Sequence, residues 1–276
     1  MRVLILIIVA VAAVAALCAP LPSQAQGASA IPDIEPGKIN ELRIGLPELL
    51  RRFAGNSRLK PITEALVDVA VPENFDATRE WPMLIVSASQ DPGYNSSREL
   101  MRGFVKPALA AGWVVLAADA AEPLTAIEDD TTGMRFAVIQ AGLAALKEKW
   151  PDSVHWPLAF GGFSGGAKRS GVLAFLATVE GRVPIGMFLG GCNEPTPAEM
   201  LDSYGRPLPQ FLKVPVFLSS GSSDRIATPM QHREVERALA RAGFTRIRLE
   251  TYEGPHHLSQ DNVRTALEWF AAERGK

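Results

Sequence analysis

Apolar residues along the chain fall into short unbroken runs, separated by stretches in which they recur at helical spacing. From about Ile62 the runs are Ala65–Val71, Met83–Ser87, Trp113–Ala118, Leu158–Gly162, Ile185–Leu189 and Val214–Ser219, and Arg246–Tyr252 reads as a last strand. Between and after them, Arg98–Ala111, Met134–Lys149, Ser170–Ala177, Arg233–Ala242 and Asp261–Glu273 read as helices; in Met134–Lys149 the stripe falls at 136, 139, 143 and 146. Pro72-Glu73-Asn74 reads as a turn, and Gly243 as a helix stop. Short apolar strands alternating with helices predict an α/β domain: a mostly parallel sheet with helices on both faces.

The first sixty residues depart from this rhythm. Arg2 is followed by an apolar run from Val3 to Leu17, short for a membrane span and without a basic stop-transfer flank. The pattern predicts an export signal over residues 1–25, cleaved after Ala25, with Ala28-Ser29-Ala30 as a second cleavage option. A periplasmic or secreted protein with no stable membrane span is the expected product. Cys18 invites a lipoprotein reading, but Leu17 stands where a small residue precedes a lipidated cysteine. Residues 26–61 read as an N-terminal extension with Pro32, Pro36 and Pro47 and a short amphipathic helix over Leu46–Phe53. Residues 62–276 read as the α/β domain.

Composition narrows the function classes. A formal net charge of -2 without a basic cluster predicts neither a nucleic-acid-binding surface nor a basic membrane patch. With 47% hydrophobic residues, the chain can fill a large core. Loss of the leader removes Cys18 and leaves Cys192 alone, so no internal disulfide is expected. No metal-ligand spacing and no phosphate-binding glycine loop is present, and no metal or cofactor is predicted.

Chemistry concentrates at Gly162-Phe163-Ser164-Gly165-Gly166. This G-x-S-x-G pattern follows an apolar strand and opens a helix, the context a nucleophile elbow requires. The serine sits at a sharp turn, so its neighbours must be small. The helix N-terminus aims N–H groups at developing negative charge, which makes the Gly165 N–H the first oxyanion donor. A serine hydroxyl needs a base and an orienting acid. In such an architecture they follow in the order acid, then histidine. Of His155, His232, His256 and His257, only the last two lie late enough; His256 is preferred because Gly254 stands two residues before it. His257 then becomes a surface or pocket-rim residue, and His232, near a helix start, a solvated one. The loop after Val214–Ser219 has a single carboxylate, Asp224, which would hold the histidine tautomer. Glu194 and Asp202 are fallback acids. The second oxyanion donor should come from Ala88-Ser89-Gln90-Asp91-Pro92-Gly93-Tyr94, through the N–H of Ser89 or Gln90, while Tyr94 either donates through its hydroxyl or lines the pocket. Phe163 and Asn193 are candidate substrate contacts. Cys192 lacks an elbow and reads as a half-buried free thiol.

The segments FGGFSGGAKRS, SSGSSD and YEGPHHLSQDNVRTALEWF resemble those of the α/β-hydrolase superfamily. The likeness runs from about residue 62 to the end and is closest to the small dienelactone hydrolase, carboxylesterase and poly(hydroxyalkanoate) depolymerase-like groups. The resemblance implies acyl transfer to water, with Ser164 attacking, His256 shuttling the proton and Asp224 orienting it. This chain departs from the pattern at Ala88–Tyr94, which has no His-Gly motif. About two dozen residues separate Ile185–Leu189 from Val214–Ser219, short for a folded cap, so little or no lid and an open site are expected. An open site suits a small-molecule or polymeric ester. A serine peptidase or acyltransferase would use the same residues, and a non-catalytic binding protein of this fold is the alternative from another class.

Overall fold

Strands whose side chains are apolar on both faces must be covered on both faces, and the sheet is built that way. The computed structural model describes residues 31–54, 62–122, 124 and 127–274. The expected leader, its cleavage after Ala25, and Cys18 lie outside the described residues. Among these, eight strands form one sheet: β1 Ile39–Gly45, β2 Glu64–Ala70, β3 Met83–Ser87, β4 Val114–Ala120, β5 Leu158–Phe163, β6 Gly186–Gly190, β7 Val216–Gly221 and β8 Ile247–Tyr252. Their order is β1-β2-β4-β3-β5-β6-β7-β8. β2 runs antiparallel to both β1 and β4, and every pairing from β4 through β8 is parallel. The helices are α1 Glu48–Ala54, α2 Ser97–Ala110, α3 Thr132–Lys149, α4 Gly165–Val179, α5 Thr196–Tyr204, α6 Pro209–Leu212, α7 Pro229–Ala242 and α8 Gln260–Glu273.

Two hydrophobic clusters sandwich the sheet. One joins alternate strand residues such as Val67, Ile85, Phe160 and Leu218 to α1, α3, α4 and α7. The other joins the opposite residues, among them Leu84, Val115, Phe188 and Phe217, to Met101 and Phe104 of α2 and Leu267 and Phe270 of α8. The period of two along each strand places its residues in alternate cores.

One expectation is corrected at the N-terminal edge. The segment read as an extension supplies β1, so the sheet begins at Ile39 rather than after Ile62. Leu42 and Ile44 alternate there with Glu41 and Arg43, as an edge strand with one solvated face requires. α1 then follows within two residues of the helix expected at Leu46–Phe53.

The order β4-β3-β5 fixes where a ligand can bind. From β3 the chain turns into α2 on one face of the sheet; from β5 it turns into α4 on the other. The two loops part at the carboxyl ends of neighbouring strands, leaving a crevice at the switch point. The short helices α5 and α6 between β6 and β7 pack against α4 rather than forming a separate cap, in line with the expected lack of a lid.

Candidate active site

Ser164 lies at the crevice, and its backbone is strained. Its φ of 55° and ψ of -123° make it the one non-glycine residue with positive φ among the described residues. Such a conformation costs about 1–3 kcal/mol and persists only when its surroundings enforce it. Here the neighbours do so by lacking side chains. A Cβ on Gly162 would stand 2.3 Å from the Gly166 carbonyl oxygen, and one on Gly166 would stand 2.2 Å from that of Ser87. The Ser164 N–H donates to the Gly190 carbonyl at the end of β6 (2.8 Å), and α4 starts at the next residue.

The acid and histidine loops leave the ends of β7 and β8, which pair in register to Gly221 and Tyr252. Backbone bonds from Ser222 N–H to Tyr252 O (2.9 Å) and Ser223 N–H to Gly254 O (3.0 Å) join them. The Tyr252 hydroxyl reaches back to the carbonyls of Pro255 (3.1 Å) and His257. Thus His256 Nδ1 lies 2.6 Å from Asp224 Oδ2, while Asp224 Oδ1 accepts the Ile226 and Ala227 N–H groups at 2.8 and 2.9 Å. Burial pushes the Asp224 carboxyl up, but the bonds from His256, Ala227 and Ile226 outweigh it and hold the group below the usual carboxylate range. An ionised Asp224 accepts the Nδ1–H hydrogen bond and leaves Nε2 as an acceptor. The His256 ring packs on Phe163 at 4.6 Å between centroids.

Ser164 and His256 both line a cleft of about 570 Å³, with Ser89, Asp91, Tyr94, Glu99, Phe163 and Ile226 among its walls. Ser89 is pressed against the start of α4: a Cβ on Gly165 would stand 2.3 Å from its Oγ. Ser89 of the β3 loop and Gly165 of α4 therefore lie side by side next to Ser164.

In sequence comparison the chain matches no family profile and no curated protein. In structure it is similar to a serine hydrolase without a lid from Xanthomonas campestris, at 17% identity and a TM-score of 0.55, covering 88% of this chain and 98% of that one. It is also similar to a cold-adapted esterase from an Arctic intertidal metagenomic library, at 14% identity and a TM-score of 0.58, covering 91% and 98%. A putative α/β hydrolase from Agrobacterium tumefaciens gives 15% and 0.57, covering 85% and 96%. The chain has the α/β-hydrolase fold.

Within that fold the other expected residues separate. Tyr94 lines the cleft with 77% of its surface exposed. The Gln90 side-chain amide donates to the Ile127 carbonyl (2.8 Å). Asn193 reaches the Ile226 carbonyl at 3.5 Å instead of lining the cleft. His257 is exposed, its Nδ1 on the Pro255 carbonyl (3.2 Å) and its ring on Tyr252. Glu194 pairs with Lys168, and Asp202 is exposed on α5. Cys192 is wholly rather than half buried; its thiol is pushed up to about 11 by burial.

His232 corrects a second expectation. It is fully buried instead of solvated, because it continues the inward stripe of Val235 and Leu239 on α7. Burial pushes its pKa down to about 4, against the pull of Asp224 and with a further push from His256.

Four charged residues that the sequence reading passed over lie behind the cleft. Arg135, Asp130 and Arg169 are buried, and Asp119 nearly so. Arg135 Nε and Nη2 clasp Asp130 at 2.6 and 2.7 Å, Nη1 pairs with Asp119, and Arg169 donates to Asp130 at 3.0 Å. Two positive and two negative charges balance, as burial requires.

Proposed function

We propose that the chain is an exported serine hydrolase that cleaves carboxylic esters through Ser164, His256 and Asp224. The observation that carries this reading is the enforced positive φ of Ser164 in the wall of a cleft shared with His256, whose Nδ1 is paired to buried Asp224. Ser164 Oγ attacks the ester carbonyl carbon as its proton passes to His256 Nε2. The carbonyl oxygen becomes an oxyanion facing the N–H groups of Gly165 and Ser89. Collapse breaks the carbon–oxygen bond, and the alcohol departs with the proton from Nε2. Water then repeats the sequence on the acyl-enzyme, releasing the acid and regenerating the serine.

The similar folds described as a serine hydrolase and an esterase support the reaction class. An open cleft supports a small ester or the accessible end of a polymer. Among the described residues its walls include acidic Asp91 and Glu99 and no lysine or arginine, which favours neutral or cationic esters over anionic ones. An ester panel on mature protein tests the reading, with His256→Ala and His257→Ala side by side. Activity lost only with His256 is expected; activity lost only with His257 overturns the assignment. N-terminal sequencing of the exported fraction tests the leader: a start after Ala25 is expected, and a retained Met1 contradicts it.

A further inference from the structure

The loop between β3 and α2, residues 88–96, has no regular structure and little of its own to hold it. Its internal bonds are few: Ser89 Oγ to Asp91 Oδ2 (2.6 Å), Asp91 N–H to Ser89 Oγ (3.1 Å) and Tyr94 N–H to the Asp91 carbonyl (3.0 Å). Gln90 ties its middle to the Ile127 carbonyl (2.8 Å), and the buried charges hold both ends of the loop. At the near end, Arg169 lies 3.4 Å from the Ser89 carbonyl, and Ser97 Oγ accepts the Ala88 N–H at 3.1 Å. At the far end, Arg135 donates to the Asn95 carbonyl and, at 3.1 Å, to the same Ser97 hydroxyl. Asp119 accepts from Ser96 Oγ (2.9 Å), Ser97 N–H (2.9 Å) and Arg98 N–H (3.2 Å). Arg169 belongs to α4, the helix that Ser164 opens. Through Asp130, the nucleophile helix and the β3 loop are therefore tied to one buried body.

We propose that the Asp119–Arg135–Asp130–Arg169 network is a positioning device that fixes Ser89 beside Gly165, setting the spacing of the two oxyanion donors. The inference rests on the proposed hydrolase chemistry. None of the four charged residues lines the cleft, so none is a catalytic residue. A buried ion network gives little stability beyond what apolar side chains of the same volume would give. What apolar packing cannot supply is directional bonds to the carbonyls of Ser89 and Asn95 and, through Ser97, to the amide of Ala88. A displacement of about 1 Å at an oxyanion donor is enough to slow a reaction strongly, so such bonds act on rate.

Ser97→Ala and Arg135→Lys test this in the full-length mature protein. Ser97→Ala removes the link to Ala88 without touching a charge; Arg135→Lys keeps the charge but not the multiple bonds. The expected result for both is a kcat about tenfold lower with KM within about twofold, because the loss falls on the transition state. Affinity for a trifluoromethyl ketone, whose adduct carries the oxyanion, should fall by the same factor, and amide exchange across 88–97 should quicken. Wild-type kcat and ketone affinity together with a lowered melting temperature would mean a purely structural network and overturn the proposal. If Arg135→Lys fails to fold, Ser97→Ala carries the same test. If the wild type proves not to be a serine hydrolase, it will take up no fluorophosphonate at Ser164; amide exchange in Ser97→Ala then still decides whether the network holds the loop.

Discussion

The turn after β5 and the loop after β3 border the same cleft, yet one is held by missing side chains and the other by buried charge. At the turn, Gly162 and Gly166 let backbone approach backbone so closely that no Cβ fits. At the loop, Asp119, Arg135 and Arg169 supply hydrogen bonds that the loop does not make for itself, and Asp130 joins the two arginines. The comparison teaches that close steric fit and directional bonding can impose comparable order. They leave different marks: the first is written in five consecutive residues, and the second is spread over four separate segments.

Substitutions can break each half of this comparison. Arg135→Met should have the larger effect, because it removes the arginine that Asp130 and Asp119 share and leaves Arg169 as the one buried cation beside two carboxylates. Unpairing a buried charge costs about 3–5 kcal/mol, to be read from urea unfolding. Gly162→Ala should cost about 3 kcal/mol by overpacking and remove most activity, since the Gly166 carbonyl must move and carry Ser164 with it. Equal tolerance of both substitutions would erase the distinction.

A third region sharpens it. His232 is buried near Asp224 and His256 without the network's compensating charges. Its folded pKa, about 4, lies below the ordinary value of 6.5, so the unfolded chain binds its proton first. Stability is therefore full above pH 6.5 and falls as pH drops from 6.5 towards 4, by about 3 kcal/mol in all. Glu180, pushed up to about 7 by burial, acts in the opposite direction over much of the same range. The measurement is thus the difference in melting temperature between wild type and His232→Leu at pH 7 and pH 5. The variant should lose less on acidification; identical slopes would exclude His232 as the source. The smallest effect belongs to the rim: Glu99→Gln should improve hydrolysis of a carboxylate-bearing ester about two- to fivefold over its neutral analogue, the scale of one partly screened charge.

Much of the fold was legible because apolar runs and helical stripes repeat through the domain. The turn was legible because positive φ at a serine demands glycines at fixed offsets. β1 was missed although Glu41-Leu42-Arg43-Ile44 alternates; the nearby prolines hid a short edge strand. His232 was misread because a polar residue near a helix start suggests solvent, yet Val235 and Leu239 at three and seven residues onward mark its face as buried. The charge network was illegible for a physical reason. A lone aspartate or arginine in sequence reads as solvated, and only the fold brings 119, 130, 135 and 169 together.

The central claim is that Ser164 is an activated nucleophile, and covalent labelling tests it most directly. Mature protein treated with a fluorophosphonate and mapped by peptide mass should carry one adduct, on Ser164. Ser164→Ala should carry none and lose turnover of p-nitrophenyl butyrate. An unlabelled Ser164, or a Ser164→Ala protein with wild-type turnover, would contradict the account.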